Sequence, residues 1–146
     1  MTRKLVKQII GWREWVAFPD LGIEKIKAKI DTGARSSALH AYDIQVYKTK
    51  TGKVRAKFFV HPLQKNSKCS IPCHADVIDQ RYVKSSSGQK ELRTTILTNL
   101  LLGAQTWPIE ITLTNRDSMG FRLLIGRTAL RRKFLVDPQR SFFFGI

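Results

Sequence analysis

The sequence predicts an all-β domain with one short C-terminal helix. Three observations carry this reading: apolar residues recur at period two in segment after segment, short polar turns separate the segments, and only one stretch near the C-terminus follows helical spacing. In "IEKIKAKI", Ile26, Ala28 and Ile30 alternate with Lys25, Lys27 and Lys29. This is the pattern of a half-buried strand with its lysines on the wet face. Asp31 continues the wet phase, and Gly33 breaks the strand two residues later.

The remaining elements follow in chain order. "ALHAYDIQVYK" and "KVRAKFFVH" flank Thr49–Gly52, a hairpin turn signal. "DVIDQRYVK" and "ELRTTILTNLLL" flank "SSSGQ" (Ser85–Gln89), a second hairpin with a small polar tip. "WPIEITLTN" places Ile109, Ile111 and Leu113 on one face and Glu110, Thr112 and Thr114 on the other. "GFRLLIG" is apolar enough for a strand buried on both faces. "RTALRRKF" then makes about two helical turns, with Leu130 and Phe134 stacked at i, i+4. Asp137-Pro138 stops the helix, and "SFFFGI" forms a last strand with an unpaired edge.

Size and composition bound the function. With 146 residues the chain is expected to be one domain, 1–146. Apolar residues make up 42%, and no run is long enough to span a membrane as a helix. The N-terminal "MTRKLVKQIIGWREW" lacks a continuous apolar segment and a small-residue cleavage site, which predicts no signal peptide and the cytoplasm. Lys and Arg number 26 against 11 Asp and Glu, a formal charge of +15. Between Asp43 and Asp76 stand Lys48, Lys50, Lys53, Arg55, Lys57, Lys65 and Lys68 with no acid. Such a field attracts polyanions, either nucleic acid or acidic polypeptide, or serves as a solvated face without a ligand. Phe58 and Phe59 offer one aromatic pair beside it, which core burial explains better than base stacking.

Cys69 and Cys73 lie in "KCSIPCHA", with His61 upstream and His74 adjoining. Four such residues raise a zinc site, but the C-x3-C-H spacing lacks a C-x2-C knuckle and a second pair. Two ordinary thiols are the better reading in a reducing compartment. The scattered histidines have no Ser or Cys in a nucleophile setting, so a triad is not expected.

The stretch "KIDTGARSSALHA" carries the chemistry. An Asp-Thr-Gly alone reads as an Asx-type turn. Together with "LLIGRTAL" downstream, aliphatics followed by Gly, Arg and a short helix, it resembles the retropepsin-like aspartic peptidases. The order of elements over residues 23–146 follows that closed-barrel (acid protease) fold. "GWREWVAFPDLGI", "FRLLIGRTAL" and "FLVDP" narrow the likeness to a bacterial family often labelled "ATP-dependent zinc protease" and associated with ATP-grasp ligases that add glutamate. The label's zinc and ATP find no H-E-x-x-H and no G-x-x-x-x-G-K-[ST] in this chain.

The resemblance implies a peptidase without cofactor or metal, in which two carboxylates about 3 Å apart share a proton. One acts as base on a bound water and the other donates to the scissile carbonyl. This chain supplies one Asp-Thr-Gly, so the second carboxylate would be Asp31 of another copy across a two-fold axis. Thr32 would grip the opposite loop, Gly33 would let the loop turn beneath the carboxylate, and Ala34 would keep the floor small. In that reading, Arg35 faces a substrate carboxylate, and Ser86, Ser87 and Gly88 belong to a flap over the substrate. The expected partners are a second copy of the chain and a peptide or protein substrate, acidic in character. Two alternatives stand beside this one: a non-catalytic basic module that binds acidic tails or RNA, and a zinc-dependent peptidase.

Overall fold

The structure is a computed structural model and describes residues 7–62, 70–84, 88–115 and 120–144, the side chains of 83 and 84 excepted. Ten strands form among them. They are β1 (Gln8–Phe18), β2 (Ile23–Asp31), β3 (Ser37–His40), β4 (Tyr42–Lys48), β5 (Val54–Val60), β6 (Ile71–Lys84), β7 (Lys90–Leu102), β8 (Gln105–Thr114), β9 (Leu123–Gly126) and β10 (Phe134–Ser141). A 3-10 turn (Pro19–Leu21) joins β1 to β2, and the helix α1 is the single turn Arg127–Leu130.

The strands lie in the order β10-β1-β2-β9-β3-β8-β7-β6-β5-β4. Pairing of Ala17 on β1 with Leu101 on β7 closes β1, β2, β9, β3, β8 and β7 into a six-stranded barrel. Closure removes the edges those strands would otherwise expose. β10 extends the sheet outside the barrel from β1, and β6, β5 and β4 extend it from β7. The retropepsin-like all-β architecture expected from the sequence is the one observed.

Period-two patterning decides which side chains fill the barrel. On β2, Ile26, Ala28 and Ile30 are buried while Lys29 is exposed; on β8, Ile109, Ile111 and Leu113 are buried and Glu110 is exposed. Phe18, Leu39, Phe58, Ile96, Leu100, Leu123 and Ile125 complete one shared core. Phe58 is thus a core residue, as its sequence context suggests. Its neighbour Phe59 faces the other way and stacks on Tyr42 at 5.7 Å between ring centroids.

Three sequence expectations are corrected. The segment Ala38–Lys48 is two strands rather than one: Ala41 separates β3 from β4, and Asp43 takes φ 51°. The break sends β3 into the barrel between β9 and β8 and β4 to the far edge of the sheet. The helix after Gly126 is half the expected length. Arg132 adopts φ 67°, the left-handed region that ends a helix, and Phe134 opens β10 instead of stacking a turn above Leu130. Asp137 and Pro138 accordingly sit inside β10.

The third correction concerns the C-terminus. The last strand ends at Ser141, and Phe142–Phe144 continue alongside the chain's own β1 outside the ladder. Glu14 explains this: fully buried, it accepts hydrogen bonds through one carboxylate oxygen from the Gly11 N–H (2.6 Å) and the Phe143 N–H (2.9 Å). Phe142 N–H donates to the Arg13 carbonyl, and its ring stacks on Trp15. Gly145 and Ile146 lie outside the described residues. Glu14→Ala should therefore cost about 1–3 kcal/mol in urea unfolding, because a buried N–H and a partly buried one lose their acceptor. Glu14→Gln, which keeps an oxygen there, should cost less; equal losses would show that the hydrogen bonds to Gly11 and Phe143 carry no weight.

Candidate active site

Asp31 is the last residue of β2 and falls on the face opposite the core, where the alternation of Lys25, Lys27 and Lys29 places it. Its carboxylate is half-buried and accepts a hydrogen bond from the Gly33 N–H at 3.1 Å. The Ala34 N–H donates to the Asp31 carbonyl at 3.2 Å, which closes a tight turn over Thr32 and Gly33. Both turn residues are exposed.

The turn is held from behind by β9 and α1. Asp31 pairs with Gly126 across the parallel β2–β9 ladder. On the other side of Gly126 runs the chain that leaves the turn. A Cβ at this position would lie 2.5 Å from the Ser36 carbonyl oxygen and 2.9 Å from that of Arg35. Only glycine permits the approach. The contact is then used for bonding. The buried Ser37 hydroxyl accepts from the Gly126 N–H (3.0 Å), and the Arg127 N–H donates to the Ala34 carbonyl (2.8 Å). The Thr128 hydroxyl donates to the Arg35 carbonyl (2.7 Å), and the Arg127 guanidinium donates to the Gly33 carbonyl (3.2 Å). Ser37, Arg127 and Thr128 thus position the turn, and sequence reasoning did not assign them that work. For Arg127 and Thr128 the signal was present in "LLIGRTAL", as polar residues directly after a glycine; Ser37 carried none.

The side chains of the turn look outward. Thr32 borders a hollow of about 600 Å³ together with Arg127, Arg131, Leu135 and Pro138. Ala34 and Arg35 border a cleft of about 410 Å³ on the other side. The face that bears Asp31 continues across the barrel: Lys29 on β2, Leu124 on β9, Ala38 on β3, Thr112 on β8 and Thr95 on β7 are successive register neighbours. The hairpin of β6 and β7 rises from the end of that row and leaves a second cleft, about 650 Å³, against Arg35 and Ser36. Gly88, near the hairpin's tip, has φ 82°. Ser86 and Ser87 lie outside the described residues.

The structure also redistributes the charge read from the sequence. In the acid-free stretch, Lys53 and Arg55 both meet Asp76, at 3.7 and 3.2 Å. Lys65 and Lys68 lie outside the described residues. Cations gather instead on the Asp31 face. Lys29 stands directly opposite Arg13 on β1. Lys25 lies 4.3 Å from the Trp15 ring centre and Lys27 5.5 Å from that of Phe121. The aromatic platform is therefore Trp12, Trp15, Phe121 and Phe142 rather than Phe58 and Phe59.

The four residues considered for zinc do not converge where they are described. Cys73 is buried on the core side of β6, its thiol against the Leu21 and Ile71 carbonyls at 3.5 Å. His74, next along the strand, points the opposite way, and its Nδ1 hydrogen-bonds the Tyr47 hydroxyl. His61 stacks on Tyr42, and Cys69 lies outside the described residues. Adjacent strand residues on opposite faces cannot close on one ion.

A barrel of this topology with an Asp-Thr-Gly turn packed on an aliphatic-Gly strand defines a retropepsin-like domain. The family model described as "Retropepsin-like aspartic endopeptidase RimB" matches residues 9–144. The chain belongs to this RimB-like family. It is 48% identical over 139 residues to a "Probable alpha-L-glutamate ligase" of Shewanella pealeana, covering 95% of this chain and 30% of that protein. A protein of the same name from Parasynechococcus marenigrum is 44% identical over 145 residues, 99% of this chain and 30% of its own length. The chain thus spans about a third of the curated relatives it matches. A solved structure from Legionella pneumophila, described as of unknown function (DUF785), superposes with a TM-score of 0.77 at 28% identity, covering 95% of this chain and 99% of that one.

Two outcomes follow from this geometry. Gly126→Ala should destabilise the domain by about 1–3 kcal/mol or prevent its folding, since a methyl group must displace backbone; a variant with an unchanged melting temperature would mean the loop is not held as described. Burial pushes the Cys73 thiol up from its ordinary 9.0 to about 12. Between those values the unfolded chain releases the proton while the folded chain keeps it, so the Cys73 contribution to stability falls as pH rises through that window. Denaturation curves for the wild type and Cys73→Ala should converge from pH 9 towards 11 (an offset constant with pH would contradict this).

Proposed function

We propose that the chain is an aspartic endopeptidase that acts as a homodimer, each active site being completed by Asp31 from two copies. The observation that carries the reading is the Asp31 turn. It presents a half-buried carboxylate on the open face, and backbone contacts on both sides of Gly126 fix its position. One chain contributes one such turn, and the chemistry needs two carboxylates about 3 Å apart. The exposed Thr32 side chain, bordering a hollow beside α1 and β10, would meet a second turn across a two-fold axis in this reading.

In the paired site one Asp31 carboxylate takes a proton from a water held between the two, and the oxygen attacks the scissile carbonyl carbon. The other Asp31, protonated, donates to the carbonyl oxygen as it gains negative charge. Collapse of the tetrahedral intermediate expels the amine, which leaves with a proton from the pair. Gly33 holds one carboxylate oxygen through its N–H and so orients the group. The β6–β7 hairpin serves as the flap over the substrate, with Gly88 near its tip.

The substrate in this reading is an acidic peptide. Lys25, Lys27 and Lys29 share the Asp31 face, and Arg35 follows the turn. The name of the relatives, alpha-L-glutamate ligase, fits a role beside an enzyme that adds glutamate. One arrangement supports a second reading: the cations interleaved with Trp12, Trp15 and Phe121 also suit RNA or acidic tails bound without cleavage.

Asp31→Asn discriminates the two. It should lower kcat on a cleaved peptide by about 10⁴-fold or more and leave the circular dichroism spectrum and melting temperature unchanged; EDTA should have no effect on the wild type. Full activity in Asp31→Asn would overturn the aspartic mechanism, and loss of wild-type activity in EDTA with recovery in zinc would favour a metallopeptidase. Absence of cleavage by the wild type, with tight RNA binding, would favour the second reading.

A further inference from the structure

The stem of the β6–β7 hairpin carries a charge arrangement that folding alone does not explain. Arg81 on β6 stands directly opposite Arg93 on β7. Like charges in that relation oppose pairing of the strands. Asp79, two residues before Arg81 and so on the same face, answers one of them: its carboxylate takes the Arg81 guanidinium at 2.7 Å. Arg93 makes no ion pair among the described residues, and neither does Arg35.

Arg35 and Arg93 border the same two clefts. The larger one also holds acids, Asp79 and Glu110. The smaller one, about 410 Å³, holds none: its walls are Ala34, Ser36, Ala38, Thr112 and the two arginines, with Ser37 and Thr114 at its margins. Small side chains leave the space open, and the Ser and Thr hydroxyls add donors. Ala34 lies three residues from Asp31, and Ala38 and Thr112 belong to the row that crosses the sheet beside it. An acid-free cavity with two uncompensated guanidiniums is a site for an anion, and the planar fork of arginine suits a carboxylate.

We propose that Arg35 and Arg93 form a carboxylate-binding subsite, which seats one acidic side chain of the substrate next to the Asp31 turn. The site deepens the peptidase reading and rests on it for its place along the substrate. Arg93 is then a specificity-determining residue. Its repulsion with Arg81 is relieved when the substrate's carboxylate enters.

The test uses the full chain carrying Asp31→Asn, so that binding is read without turnover. Two fluorescent peptides of equal length, one with glutamates and one with glutamines at the same positions, are titrated by anisotropy. The glutamate peptide should bind more tightly. Arg93→Gln and Arg35→Gln should each weaken it about tenfold or more and leave the glutamine peptide unchanged. The double variant should lose less than the product of the two, because both arginines hold one group. Arg93→Gln should keep or raise the melting temperature, which separates lost recognition from a damaged fold. Lys50→Gln, on the β4–β5 turn, should have little effect.

Equal loss for both peptides, no loss for either, or a Lys50→Gln effect as large as that of Arg93→Gln would overturn the subsite. A wild-type protein that cleaves neither peptide would instead overturn the peptidase reading, while the binding preference would still report on Arg35 and Arg93.

Discussion

The close passage of backbone at Gly126 is the constraint on which the site depends. Asp31 pairs with this residue on one side, and the Ser36 carbonyl lies within 2.5 Å of where its Cβ would be on the other. The three layers β2, β9 and the outgoing loop are therefore locked at backbone level. The carbonyls of Gly33, Ala34 and Arg35 all accept hydrogen bonds from Arg127 or Thr128. Thr32 and Arg35 are left free to face outward, one toward the hollow beside α1 and the other toward the clefts of the hairpin. A carboxylate that must meet another at short range benefits from such rigidity, because misplacement by an ångström is costly in rate.

Charge is organised around this turn by strand period rather than by sequence blocks. The acid-free run that dominates the linear sequence is partly answered by Asp76 once β5 and β6 pair. Exposed pairs of this kind contribute little to stability, but they do reduce the field. Other cations without an ion pair among the described residues lie on the Asp31 face: Lys29 and Arg13 opposite one another on β2 and β1, and Arg35 with Arg93 at the hairpin. Two such clusters flank a floor of Ala34, Ala38 and Leu124, which is small and apolar enough for a peptide backbone to lie close.

Much of this was legible in the sequence. The alternation in Ile23–Ile30 placed Asp31 on the wet face at a strand end, and the glycine after "LLI" was part of the motif that carried the resemblance. The alternation in Trp107–Asn115 likewise gave the buried face of β8. Other features depend on pairings that no local pattern encodes. Arg93 reads as an ordinary polar strand residue until register sets it against Arg81. "SFFFGI" reads as an apolar strand, yet the acceptor that takes the Phe143 N–H is the Glu14 side chain, 129 residues away. The second turn of helix failed for a similar reason: Phe134 gains a ladder partner in Gln8, and the pairing outweighs a single i, i+4 contact.

The central claim is that one active site needs Asp31 from two chains, and subunit mixing tests it most directly. Wild type and Asp31→Asn are exchanged at constant total protein, and activity is followed as the wild-type fraction falls. If both carboxylates are required, activity follows the square of that fraction, so an equal mixture retains about a quarter of the full rate. A linear fall, with about half the rate retained in the equal mixture, would show that each chain works alone and would contradict the account.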